Sequence, residues 1–223
     1  MGIVKEERIG GQRLILGDCL CHMPVNGRGV ACLTDPPYGI RADENPVRGS
    51  TLHKRKGWDR ERPDREYFAR ILQASEVQII WGGNYFTDFL PPSMRWLVWD
   101  KMQGEFSLAD CEFAWTSQNA AARIFRYSRG AALQDGKHHP TQKPVALMAW
   151  CLNFLPSHLS ILDPFIGSGT TLVACQKMGR HGTGIELDPD YFDIACRRVD
   201  EAARQPDLFR VPEPDPVQGG LEL

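Results

Sequence analysis

The sequence contains no apolar run near the roughly 20 residues that a membrane-spanning helix requires. It contains no CxxC pair, which argues against a zinc ribbon or a redox dithiol. It also lacks a dominant charge, the formal net charge being −2. A global positive field is thereby excluded, and any nucleic-acid contact must come from a local patch. The seven cysteines (19, 21, 32, 111, 151, 175 and 196) are odd in number, and several sit in apolar runs. They read as core thiols in a reducing compartment rather than as a disulfide framework. Cys19 and Cys21, with His138 and His139 far away, make a weak metal pattern, and no metal is expected. The opening MGIVKEERIGGQ has no secretory apolar core, so a cytoplasmic location and no membrane partner are expected.

With 223 residues, 42% of them hydrophobic, the chain is sized for one large α/β domain or two small ones. Short apolar runs predict strands at 13–16, 30–33, 77–81, 95–100, 111–115, 122–128, 159–162 and 183–187. Helices are expected over 66–75, from Thr141 as cap to about Leu155, over 170–178 with Gly179 closing it, and over 190–203. The last third thus reads as a β-α-β-α unit. Residues 41–65 are polar, without periodicity, and too long for an ordinary connection, so a mobile functional loop is expected there. Residues 1–204 read as one domain and 205–223 as a disordered, proline-rich tail.

Asp163-Pro164-Phe165-Ile166-Gly167-Ser168-Gly169-Thr170-Thr171 lies between a strand and a helix. Glycines there allow a sharp turn and close approach of a ligand to the backbone. Glu186 ends the following strand, where an acid can accept hydrogen bonds from ribose hydroxyls. The third glycine of a dinucleotide fingerprint is absent, since position 172 is Leu. Asp163 would also repel a pyrophosphate. An acid at this mouth suits an adenosine ligand bearing an amino group or positive charge, and S-adenosyl-L-methionine has both. The alternative is a tight turn with no ligand.

Asp35-Pro36-Pro37-Tyr38 follows an apolar strand. An exocyclic nucleobase amine is a poor nucleophile, because its lone pair is delocalised into the ring. Two acceptors on its N–H groups favour a pyramidal nitrogen. Asp35 offers a carboxylate and Pro36 a carbonyl, whose direction Pro37 restricts. Tyr38 can stack on a base turned out of a duplex. Positioning and fixed dipoles supply the remaining work. The alternative is a proline turn after a buried strand.

These motifs resemble those of the amino-methyltransferases that modify adenine N6 or cytosine N4 in DNA. DPPY (35–38) resembles their catalytic motif, and DPFIGSGTT (163–171) with Glu186 their cofactor motifs. HPTQKP (139–144), WGGNYF (81–86) and Gly17-Asp18-Cys19 are similar to further landmarks, with the catalytic motif first. The resemblance covers most of residues 13–200. It implies a Rossmann-like, doubly wound, mixed seven-stranded sheet, with Asp35, Pro36, Pro37 and Tyr38 as catalytic residues. It places Asp18 near the cofactor adenine and Glu186 on the ribose. Gly167, Gly169 and Thr170 line the methionine part with Asp163 nearby, Phe165 is a further cofactor-binding residue, and His139, Thr141 and Lys143 close the pocket. Asp at position 35 is commoner among adenine-N6 members, so adenine is expected, with cytosine N4 as the alternative. RNA or protein amides, and a non-catalytic DNA-binding relic, are the other readings.

The partner expected is double-stranded DNA. Region 41–65 carries eight Lys/Arg against five acids. His53, Lys54, Arg55 and Lys56 are compact enough to hold phosphates, and Trp58 could wedge or stack. The alternative is a solvated charged loop. A reading region confined to about 100–138 implies a short site or the help of a second subunit, as in a homodimer. Gln205-Pro206-Asp207-Leu208-Phe209 is similar to peptides that dock on the bacterial sliding clamp. The alternative is that Leu208 and Phe209 fold back on the domain. The compact size suits a phage, prophage or orphan methylase, with any restriction partner on another chain.

Overall fold

Along the central strands, consecutive residues enter different cores. In β3 (Val30–Thr34), Ala31 and Leu33 join one apolar cluster and Cys32 another. In β4 (Val77–Trp81), Ile79 and Trp81 divide from Ile80 in the same way. In β8 (Ser160–Asp163), Ile161 divides from Leu162. Side chains alternate across a strand, so two buried faces require a layer on each side of the sheet. One layer is α3 (Val145–Leu152) with α4 (Thr170–Lys177). The other is α1 (Cys19–His22) with α2 (Arg65–Gln73), whose Phe68 and Ile71 face inward. These elements belong to a computed structural model, which describes residues 4–41, 61–103, 109–128, 130 and 142–205.

The remaining strands are β1 (Lys5–Ile9), β2 (Gln12–Leu16), β5 (Trp96–Asp100), β6 (Cys111–Thr116), β7 (Arg123–Arg126) and β9 (Gly182–Glu186). The sheet order is β1-β2-β9-β8-β3-β4-β6-β5-β7. Strands β2, β9, β8, β3 and β4 run parallel to one another, β1 is antiparallel to β2, and β6 is antiparallel to both β4 and β5. The mixed, doubly wound sheet is as expected, but it has nine strands among the described residues, not seven. Its two edge strands, KEERI and RIFR, contain no buried residue. Backbone pairing to β2 and β5 holds them, so β1 leaves no apolar pattern in the sequence.

Helix α5 (Pro189–Arg204) starts where Asp188 accepts from the amides of Asp190 and Tyr191, with proline in its first turn. Phe192, Ala195 and Val199 pack it on Leu14, Ile166 and Leu172. Helix α3 begins at Val145 with Pro144 at its cap position, later than the start expected at Thr141, which lies outside the described residues. Among the described residues no helix is long and apolar enough to cross a membrane.

Candidate active site

The chain leaves β3 through α2 to β4 on one side, and leaves β8 through α4 to β9 on the other. Strands β3 and β8 are adjacent and parallel, so a crevice opens where the strand order reverses, beyond their carboxyl ends. Each of four neighbouring strands delivers an acid to this edge. Asp18 follows β2, Glu186 ends β9, Asp163 ends β8 and Asp35 follows β3.

The glycine turn occupies one side. Gly167 and Gly169 have φ of 50° and 82°, which only glycine adopts without strain. A Cβ on Gly169 would lie 2.9 Å from that of Ala195. Glu186 Oε2 accepts from the Gly167 amide at 2.9 Å, and Oε1 from the Asp188 amide at 2.8 Å. Each oxygen keeps acceptor capacity, and burial pushes this carboxyl up to about 7. The Gly17 amide donates to the Glu186 carbonyl at 2.8 Å, setting Asp18 beside it. Asp18 caps α1 through the Leu20 amide.

Two expected ligand contacts face inward instead. Asp163 is only 2% exposed, and burial pushes its carboxyl up to about 6. Its Oδ1 accepts from Thr34 Oγ1 and from the Phe165 amide. Thr170 Oγ1 accepts from Arg198, which also donates to the Ser168 carbonyl and Oγ. Both residues therefore brace the turn. Phe165 packs against Tyr67. The glycine turn, with the remaining acceptor capacity of the Glu186 carboxyl beside it, fits an adenosine ligand such as S-adenosyl-L-methionine.

The DPPY turn occupies the other side. Tyr38 Oη donates to Asp35 Oδ1 at 2.5 Å and accepts from Lys143 Nζ at 3.0 Å. Lys143, its side chain 4% exposed, also donates to Asp35 Oδ2 at 2.6 Å. Lys143, expected to close the cofactor pocket, thus lies against the DPPY turn. Burial raises Asp35 above the ordinary aspartate range, Lys143 opposes this, and Glu112 adds to it. Burial also lifts the Tyr38 phenol well above its usual value, and Asp35 adds to that.

The Tyr38 ring is already engaged. It stacks on Tyr85 with centroids 4.9 Å apart and planes 16° from parallel. Gly82, at φ 69°, makes room for it, since a Cβ there would lie 2.0 Å from Tyr38 Cε1. This explains WGGNYF locally: Gly82 admits the Tyr38 ring, Gly83 lies against Trp115, and Tyr85 covers the ring. Tyr85 remains 39% exposed at the end of the stack.

Gln142 and Lys143 bridge the two turns. Ser168 Oγ donates to Gln142 Oε1 at 3.3 Å, while the next residue, Lys143, holds Asp35. His139 and Thr141 lie outside the described residues, as do His53, Lys54, Arg55, Lys56, Trp58 and residues 206–209. Two basic residues of 41–65 are committed within the protein. Arg62 pairs with Asp88 and lies over Phe89, and Arg65 bonds the Asp88 carbonyl. Among the described residues no His/Cys/Asp/Glu group is arranged to hold a metal ion.

Sequence reasoning missed Arg198, Lys101 and Glu112. Arg198 falls on the buried stripe of α5 with Tyr191, Phe192, Ala195 and Val199, a spacing that marks an inward-facing charge. Glu112 sits inside an apolar strand, and buried charges require partners.

Residues 80–197, more than half of the chain, match the family described as DNA methylase, the N6/N4 methyltransferases. The chain belongs to the N6/N4 DNA methylase family. The matched stretch runs from β4 to α5 and includes Lys143, the glycine turn and Glu186. The chain is 28% identical over 212 residues to the putative methylase YubD of Escherichia coli K12, covering 84% of this chain and 89% of that one. It is 45% identical over 67 residues to the type II methyltransferase M.ScaI of Streptomyces caespitosus. That match covers 30% of this chain but only 22% of M.ScaI. In fold it resembles the M1.HpyAVI–SAM complex, with a TM-score of 0.56 and 23% identity over 85% of this chain and 99% of that one.

Proposed function

We propose that this methylase transfers a methyl group from S-adenosyl-L-methionine to the N6 amine of an adenine turned out of double-stranded DNA. The observation that carries this reading is Asp35, a half-buried acid held by Tyr38 and Lys143 at the switch-point crevice, beside the glycine turn and Glu186. The cofactor would supply an electrophilic methyl on its sulfonium, with Glu186 accepting its ribose hydroxyls and Gly167 and Gly169 leaving room for its chain.

The protein's part is positioning and charge. Asp35 and the Pro36 carbonyl accept from the two N–H groups of the amine and turn its lone pair outward. Lys143 and Tyr38 fix the Asp35 rotamer from behind, so its free acceptor positions face the crevice. The proton released as the nitrogen gains carbon goes to the Asp35 carboxylate, the base in contact with it. Tyr85 offers the exposed ring face on which an extruded base stacks.

Adenine is preferred over cytosine because of the aspartate at 35. Basic residues 53–56 are proposed to hold phosphates, since Arg62 and Arg65 are already engaged. The test offers isotope-labelled S-adenosyl-L-methionine with unmethylated DNA, RNA and protein extracts. Label is expected in DNA, whereas label in RNA or protein alone would overturn the reading.

A further inference from the structure

Four charges of alternating sign form a line behind the DPPY turn. Lys101 Nζ lies 2.7 Å from Glu112 Oε1, Glu112 Oε2 lies 3.1 Å from Lys143 Nζ, and Lys143 Nζ lies 2.6 Å from Asp35 Oδ2. None of these side chains is more than 23% exposed. They come from four places in the chain: the end of β5, β6, the start of α3 and the turn after β3. Neither sequence motif requires the outer pair, Lys101 and Glu112.

A buried ammonium needs compensation, and one carboxylate would suffice. Lys143 has two. With Asp35 alone, the ammonium would bind Oδ2 tightly and reduce its ability to accept from an amine. Glu112 draws part of that charge away, and Lys101 holds Glu112 in place. Burial pushes the Glu112 carboxyl up, but Lys143 and Lys101 outweigh it and hold the group at about 2. Burial lowers Lys143, and its two acids outweigh that, so it stays protonated. The other groups acting on this line are the Tyr38 hydroxyl, the charge of Asp163 at the end of β8, and the rings of Trp81 and Trp99.

We infer that Glu112, anchored by Lys101, is a positioning residue that shares Lys143 with Asp35 and thereby sets the charge and orientation of the acid that receives the amine. This rests on the proposed role of Asp35. When an amine N–H arrives, Lys143 moves its weight onto Glu112, and no buried charge is left without a partner. The hairpin of β5 and β6, which pairs Asp100 with Cys111, therefore reaches the reacting group through two side chains.

The test reads Asp35 directly, without cofactor or DNA. Carboxyl-carbon NMR of aspartate-labelled protein, with Asp35 assigned by its loss in Asp35→Asn, follows its titration. Lys143→Met is expected to raise the midpoint and Glu112→Gln to lower it, each by about one pH unit. Lys101→Met, which frees the charge of Glu112, is expected to raise it. Turnover of Glu112→Gln falls about tenfold, while cofactor affinity is unchanged. Coincident titrations in wild type, Glu112→Gln and Lys101→Met would overturn the inference. The expected order of midpoints in a protein that moves no methyl to DNA would overturn the proposed activity and leave the charge line standing.

Discussion

Thr34 Oγ1 donates to Asp163 Oδ1 at 2.7 Å, joining the strand that enters the DPPY turn to the strand that enters the glycine turn. Both residues are buried, and their strands pair in parallel. The two turns are therefore fixed relative to one another below the crevice. Gln142 and Lys143 tie them together a second time. In-line transfer requires acceptor and donor to be held at a set distance, and misplacement by about 1 Å costs on the order of 100-fold in rate.

Replacing Asp35 with Ala should reduce methyl transfer by about 100-fold or more. The Glu186 side of the crevice is two strands away, so calorimetric binding of S-adenosyl-L-methionine should persist. Lys143 keeps Glu112 as counter-charge, so the fold should survive. Loss of binding together with turnover would make Asp35 structural.

Gly82→Ala tests the aromatic stack. The new Cβ would overlap Tyr38 Cε1 at a backbone angle of φ 69°. Strain and overlap together should cost about 1–3 kcal/mol, visible in thermal unfolding. Displacing Tyr38 also releases the Asp35 rotamer, so turnover should fall further than stability explains. An unchanged melting temperature would contradict the packing.

Glu186 gives a pH dependence of defined sign. Burial lifts it to about 7 from an ordinary 4.5, and in its proposed role the ionised form accepts the ribose hydroxyls. Cofactor affinity should therefore weaken about tenfold per pH unit as pH falls below about 7. The stability of the free protein runs the other way. The folded carboxyl binds its proton first, so stability should rise as pH falls from about 7 toward 4.5. Glu186→Gln should bind weakly with that pH dependence gone, leaving only the contribution of Asp163 near 6. Affinity independent of pH in the wild type would remove Glu186 from the binding role.

Arg198→Met removes three hydrogen bonds that brace the glycine turn from α5. Stability should drop by about 1–3 kcal/mol, and cofactor affinity should fall through the loss of the turn's support from the buried Arg198. Unaltered affinity would mean that the turn holds its shape unaided.

The parallel core and its turns were legible in the sequence because burial on both faces leaves continuous apolar runs such as VQIIW. The element bounds for β4 coincide with that run. Strand β1 was not legible, since KEERI is held by backbone pairing. The site was legible where short motifs carry it, at DPPY and around the glycines. Long-range side-chain pairing was invisible: nothing in the linear spacing joins Lys143 to Asp35 or Glu112 to Lys101. The turned-in Asp163 and Thr170 show the converse, where a motif marks a residue whose side chain holds the loop rather than facing the crevice.

The most direct test digests unmethylated DNA after incubation with the protein and S-adenosyl-L-methionine, and separates the nucleosides by mass. The account predicts N6-methyladenine, lost in Asp35→Ala. N4-methylcytosine would retain the amine chemistry and overturn the choice of base. A methyl group on a ring carbon, or no methylated nucleoside from a protein that binds the cofactor, would contradict the account.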